Sequence, residues 1–106
     1  MAFKSKATPN VGTSPLAITE TVGAGTTATL IGLSIANKTA ASITASALLN
    51  KSGGTTAFLV KDATILPGGA LVVVGGDQKV VLEAGDSITA YTSAADSADA
   101  VASYLA

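Results

Sequence analysis

Apolar residues recur at every second position in short runs, and glycine, proline or asparagine closes most of those runs. A period of two is the spacing at which side chains return to one face of a β-strand, whereas a helix needs 3.6. Leu16-Ala17-Ile18-Thr19-Glu20-Thr21-Val22 alternates over its first half and is broken by Gly23-Ala24-Gly25. Thr27 to Ala36 follows, with Ile31, Leu33 and Ile35 on one face. Ile43, Ala45, Ala47 and Leu49 share a face opposite Ser42, Thr44 and Ser46. Asn50-Lys51-Ser52-Gly53-Gly54 is the plainest hairpin loop.

The second half repeats the theme. Thr56–Val60 reads as a short strand, and Ile65-Leu66 leads into Pro67-Gly68-Gly69, where proline presets one φ angle and glycine admits a positive one. Ala70-Leu71-Val72-Val73-Val74 is continuous, the pattern of a strand buried on both faces. Gly75-Gly76-Asp77 turns it. Val80–Leu82 is a short strand, Glu83–Asp86 a turn, and Ser87–Thr92 alternates again. Ser93–Asp99 is a polar, alanine-rich connection, with room for one helical turn at Ala94–Asp99. Ala100–Leu105 closes the chain, with Val101, Ser103 and Leu105 on one side and Ala102 and Tyr104 on the other. Alanine favours helix, but Thr39–Leu49 and Ala94–Ala102 are diluted by serine, threonine and β-branched residues at the wrong period. About eight or nine strands at intervals of roughly 8–12 residues predict an all-β domain, an antiparallel sandwich or small barrel, over residues 16–106.

Residues 1–15 stand apart. They carry Lys4, Lys6, Pro9, Gly12 and Pro15 without apolar periodicity. Two prolines limit helix and ladder pairing alike, so this segment reads as an extended arm. With a third of the six lysines, the arm is expected to reach a neighbouring subunit. No apolar run follows the first lysines as in a signal peptide, and none approaches the roughly 20 residues of a membrane helix.

The chemistry is told mainly by absences. Of the 106 residues, none is His, Cys, Trp or Arg. This removes the commonest general base and metal ligand, thiolate zinc sites and disulfides, and bidentate phosphate clamps. A net charge of -1 gives nucleic acid no electrostatic footprint. The charged fraction of 12% is about half the usual quarter, so little keeps copies apart. That favours a protein whose faces are covered by neighbours.

Gly23-Ala24-Gly25-Thr26-Thr27-Ala28 matches a dinucleotide-binding spacing, but a strand sequence follows where the phosphate-facing helix should start, so it reads as a turn. Glu83 with Asp86, and Asp96 with Asp99, are carboxylate pairs without a calcium-loop pattern. Lys61 beside Asp62 reads as a solvated face. Asn37-Lys38-Thr39 and Asn50-Lys51-Ser52 match the glycosylation sequon, yet turn geometry accounts for both asparagines. No catalytic residue, cofactor or metal is expected. Tyr91 and Tyr104 are the aromatic candidates for a binding surface, with ordinary sheet packing the plainer account of both.

Several stretches together form a familiar pattern. They are Val22–Thr26, Ile31–Asn37, Phe58–Ala63, Ile65–Leu71, Gly76–Asp86 and the terminal Ala102-Ser103-Tyr104-Leu105. The pattern resembles small virion structural proteins of tailed bacteriophages over about residues 20–106. Its most specific parts are the Pro67-Gly68-Gly69 turn, Leu82-Glu83-Ala84-Gly85-Asp86 and Ser103-Tyr104-Leu105. The resemblance implies a compact β-sandwich, immunoglobulin-like or jelly-roll-like, of about eight strands. It implies a non-enzymatic role in the particle made in the bacterial host cytoplasm. Such proteins decorate or cement the head shell, or belong to the tail, neck or fibres; a carbohydrate-binding adhesin module is a further alternative. The partners implied are the major capsid protein or other virion proteins and further copies of this chain, a trimer by closed symmetry. Neither nucleic acid nor membrane is expected as a partner. The candidate interface residues are Phe3, Lys4, Lys6, Pro9 and Pro15 on the arm, with Tyr91 and Tyr104.

Overall fold

A computed structural model describes residues 2–75 and 78–106. Nine strands form, and no helix among the described residues, so none long and apolar enough to cross a membrane. They are β1 (Phe3–Val11), β2 (Leu16–Ala17), β3 (Ala28–Asn37), β4 (Ile43–Asn50), β5 (Thr56–Ile65), β6 (Ala70–Val74), β7 (Val80–Leu82), β8 (Ser87–Thr92) and β9 (Ala98–Leu105). Two antiparallel sheets pack face to face. One has the order β1-β9-β3-β6, with β7 beside β6 on the same edge of β3; the other runs β2-β8-β4-β5. This is the expected all-β sandwich.

The core lies between the sheets and is made mostly of alternate residues. Leu30, Leu33 and Ile35 of β3 meet Ile43, Ala45 and Ala47 of β4, Ile88 and Ala90 of β8, and Ala98, Ala100 and Ala102 of β9. Alanine at so many core positions lets the sheets approach closely, and Ile18, Leu30, Ile35, Leu82 and Ile88 fill what remains. Buried polar groups are paired, and no described buried side-chain nitrogen or oxygen lacks a partner.

Several sequence expectations are corrected. The arm is a strand over Phe3–Val11, paired with β9 from Phe3↔Leu105 to Val11↔Ala98, and Val11 is fully buried. Pro9 does interrupt the ladder: the register shifts between Thr8 and Val11, where Asn10 takes a φ of 59°. Leu16–Val22 forms regular strand only at Leu16–Ala17; beyond it the Ile18 N–H still bonds to Ile88 O at 2.8 Å and the Val22 N–H to Asp86 O at 3.0 Å, while the Ile18 and Thr19 side chains are buried. Ile31 is not in line with Leu33, because a bulge between Leu30 and Gly32 puts Leu30 on the core face instead. Thr56–Val60 extends to Ile65. Ala70–Val74 lies at a sheet edge with one face uncovered, so Val72 is exposed. The helical turn at Ala94–Asp99 does not form, and β9 begins at Ala98. Of the expected turn at Gly75-Gly76-Asp77, Gly76 and Asp77 lie outside the described residues.

Candidate interaction surface

The register of the five-stranded sheet arranges its outer face in rows. Phe3, Leu105, Thr29 and Val81 form the first, across β1, β9, β3 and β7. Ser5, Ser103 and Gly32 form the second. Ala7, Val101, Ser34 and Val72 form the third. None of these residues is charged. The next row holds Asp99, Ala36 and Ala70, and Asp99 is neutralised by Lys38 Nζ at 2.9 Å. Of the large apolar side chains left exposed, Phe3 (78%), Val72 (68%), Val81 (59%) and Val101 (46%) stand on this face. They are four of the seven such side chains among the described residues.

The outer face of the four-stranded sheet is different. Thr44, Thr64, Thr89 and Asn50 occupy its register positions, with Tyr91 opposite Ser46 and Leu48 opposite Phe58. Lys61 Nζ lies 5.4 Å from the centre of the Phe58 ring, so the exposed aromatic carries a cation over it. This face is dressed for water.

The candidate residues divide accordingly. Lys4 and Lys6 oppose Tyr104 and Ala102, which puts them on the core-facing side of an edge strand. Inward-pointing lysine on an edge strand opposes pairing with another chain. Their charge therefore has a structural use in β1. Lys4 and Tyr104 line one groove of about 280 Å³ with Glu20, Val22, Thr26 and Ala106. Tyr104 also packs against the core. Phe3 is the neighbour of this groove on the outer face. Pro9 and Pro15 lie toward the other end of β1, near a hollow of about 200 Å³ that includes Asn10, Ser14, Leu16 and Asp96. Tyr91 stands on the opposite sheet. Sequence reasoning missed Val72, Val81, Val101 and Gly32, since only the pairing register puts them on one face.

The carboxylates are structural. Asp86 is fully buried between the β4–β5 hairpin and the β7–β8 turn. Its Oδ1 accepts the Ser52 N–H at 3.1 Å, and its Oδ2 accepts the Glu83 N–H at 2.9 Å and Lys51 Nζ at 2.5 Å. The hydrogen bond from Lys51, opposed by burial, holds the Asp86 carboxyl below its ordinary 3.8. Hydrogen bonds to Asp86 and Glu83 raise Lys51 above 10.5. Asp99 is lowered by Lys38 and then by the Asn10 N–H. Among the described residues no three carboxylates converge as metal ligands.

Asn37, the first sequon asparagine, is buried. Its amide donates to the carbonyls of Ala41 (2.8 Å) and Ile65 (3.0 Å) and accepts from the Thr39 N–H and hydroxyl. That use leaves no room for a glycan. Gly23–Thr26 is a turn closed by Thr26 N–H to Gly23 O at 3.2 Å, and β3 follows it. No family model matches this chain, and no curated protein matches it.

Proposed function

We propose that this chain is a non-enzymatic structural subunit of a bacteriophage particle, one that decorates the head by binding and stabilising the major capsid shell. The observation that carries this reading is the uncharged outer face of the five-stranded sheet, on which Phe3, Val72, Val81 and Val101 stand exposed. Its β1 edge is blunted by Pro9 and two inward lysines. Such a subunit adds stability by burying its face against neighbours. The resemblance to small virion proteins of tailed phages supplies the particle, and the absence of His, Cys and Arg agrees with work done by packing.

The test is imaging of purified, undecorated shells incubated with the chain. The expected result is density at every equivalent shell position, and Val101→Lys, placed on the uncharged face, abolishes it. Full occupancy by Val101→Lys would show that the face is not used. A few copies confined to one vertex or to the tail would move the protein to the neck, tail or fibres.

A further inference from the structure

β1 is joined to the rest of the molecule almost entirely through its backbone. None of residues 2–10 is buried, and Lys4 and Lys6 occupy positions on its core-facing side. The ladder to β9 holds the strand, together with hydrogen bonds that end on residues 16–106. These run from Asn10 N–H to Asp99 Oδ1, from Lys38 Nζ to Asn10 Oδ1, from the Thr8 hydroxyl to Ala17 O and from Ser97 N–H to Val11 O. Val11 alone fills a core site. A second copy offers each of these partners in the same arrangement. The link back to the body is short: Gly12-Thr13-Ser14-Pro15 carries the chain from β1 in one sheet to β2 in the other. The crossing is tight at its start, where a Cβ at Gly12 would lie 3.0 Å from Asp96 N. Thr13, Ser14 and Pro15 are exposed, and the chain bends at Thr13 and Ser14, although a residue before proline favours extended backbone.

We infer that β1 is exchanged between copies: residues 2–11 of one chain pair with β9 of a second, and those of the second pair with β9 of the first. A short hinge that bends against its local preference invites such an exchange. It is a low-cost route to a closed pair, because no new contact has to be made. The occupant of the β9 edge is fixed by this chain's own ladder. Residues 2–11 of a second copy take the same register, from Phe3↔Leu105 to Val11↔Ala98, and Val11 fills the same core site. The five residue steps from Val11 to Leu16 span at most about 17 Å. Two exchanging copies therefore abut at the end of the sandwich where Gly12 lies beside Asp96. The tether holds β1 near its own body at an effective concentration on the order of millimolar, so exchange grows as copies are crowded. It needs only a neighbouring copy, whether or not a shell holds it.

The chain has no cysteine, so an engineered disulfide can report which copy supplies β1. Ala2 and Ala106 exchange both backbone bonds. Ser5 opposite Ser103 is therefore a non-hydrogen-bonded pair of the ladder, with Cα atoms about 4.5 Å apart, within disulfide reach. An isotopically labelled chain carrying Ser5→Cys is mixed with an unlabelled chain carrying Ser103→Cys and oxidised over about a hundredfold range of concentration. The expected result is a disulfide-linked pair of one labelled and one unlabelled chain, whose share rises with concentration. It should be about tenfold more abundant than with Thr64→Cys, on the other sheet, as the second thiol. Inserting Gly-Ser-Gly between Thr13 and Ser14 relaxes the crossing and should lower that share by about fivefold or more. A chain carrying both Ser5→Cys and Ser103→Cys should close within itself when dilute and give a two-chain product when concentrated. A linked pair no more frequent than the Thr64→Cys control, or a double variant that closes only within one chain at every concentration, overturns the exchange. A share unchanged or raised by the longer hinge reduces it to fraying of a terminal strand and overturns it as well. If sedimentation finds a pair while every disulfide stays within one chain, another surface holds that pair and the exchange is wrong.

Discussion

Single residues hold this sandwich together where the strands leave gaps. Asn37 ties the end of β3 to Ala41 and to Ile65 at the end of β5, using both its donors and its acceptor. Replacing it with alanine leaves buried carbonyls unpaired, and urea unfolding should show a loss of about 1–3 kcal/mol. Gly85 takes a φ of +85°, and a Cβ there would come within 2.5 Å of Ser52 Cβ. Gly85→Ala should therefore push the β7–β8 turn off the β4–β5 hairpin and lower the melting temperature by more than about 5 °C. The same junction sets the pH response. The folded pKa values of Asp86 and Asp99 lie below their unfolded ones, so their stabilisation is complete above about pH 4 and is lost as pH falls through the folded values. The Lys51 pKa is raised on folding, so its contribution is complete below 10.5 and is lost as pH rises past the folded value. Melting followed against pH should fall on both sides, and Asp86→Asn should flatten most of the acid limb. The pairings of Asn37 and Asp86 could not be read from sequence. Beside their local partners each has a distant one, Ile65 28 positions from Asn37 and Ser52 and Lys51 34 and 35 positions from Asp86, and only the fold brings these near.

At the scale of elements, β1 shows where local reading reaches its limit. Two prolines and a lack of apolar alternation suggest a segment outside the domain, and both features are real. They mark an edge strand: Pro9 sits in its bulge, and Lys4 and Lys6 guard its free side. Such a strand needs little alternation of its own, because β9 provides the ladder and Val11 alone enters the core. Deleting residues 1–11 should accordingly lower the melting temperature by at least about 10 °C, since β9 loses one ladder partner and the Val11 site opens. Unchanged melting by circular dichroism would make β1 a dispensable arm after all. The turns were more legible. Asn50–Gly54, Pro67–Gly69 and Glu83–Asp86 all close where glycine and proline predict, because turn geometry is decided within four residues.

In the whole molecule the first and last strands are neighbours, and the backbones of Ala2 and Ala106 bond to each other at 2.6 and 2.9 Å. Closing that ladder brings together residues about a full chain length apart. Refolding followed by stopped flow should thus fall in the millisecond-to-second range of all-β domains, and a microsecond rate would contradict this. The sequence by itself determined the all-β class, most of the turns and the lack of reactive groups, since these depend on residue type and short-range period. The tertiary structure alone decided strand order and the bulges that set which apolar residues turn outward. Bulges at Leu30–Gly32 and Leu33–Ser34 change which residues face the core, and strand order gathers Phe3, Val72, Val81 and Val101 from four strands onto one face. A strand's two faces are equivalent until a second sheet covers one of them, so the exposed face could be recognised only after the sandwich closed.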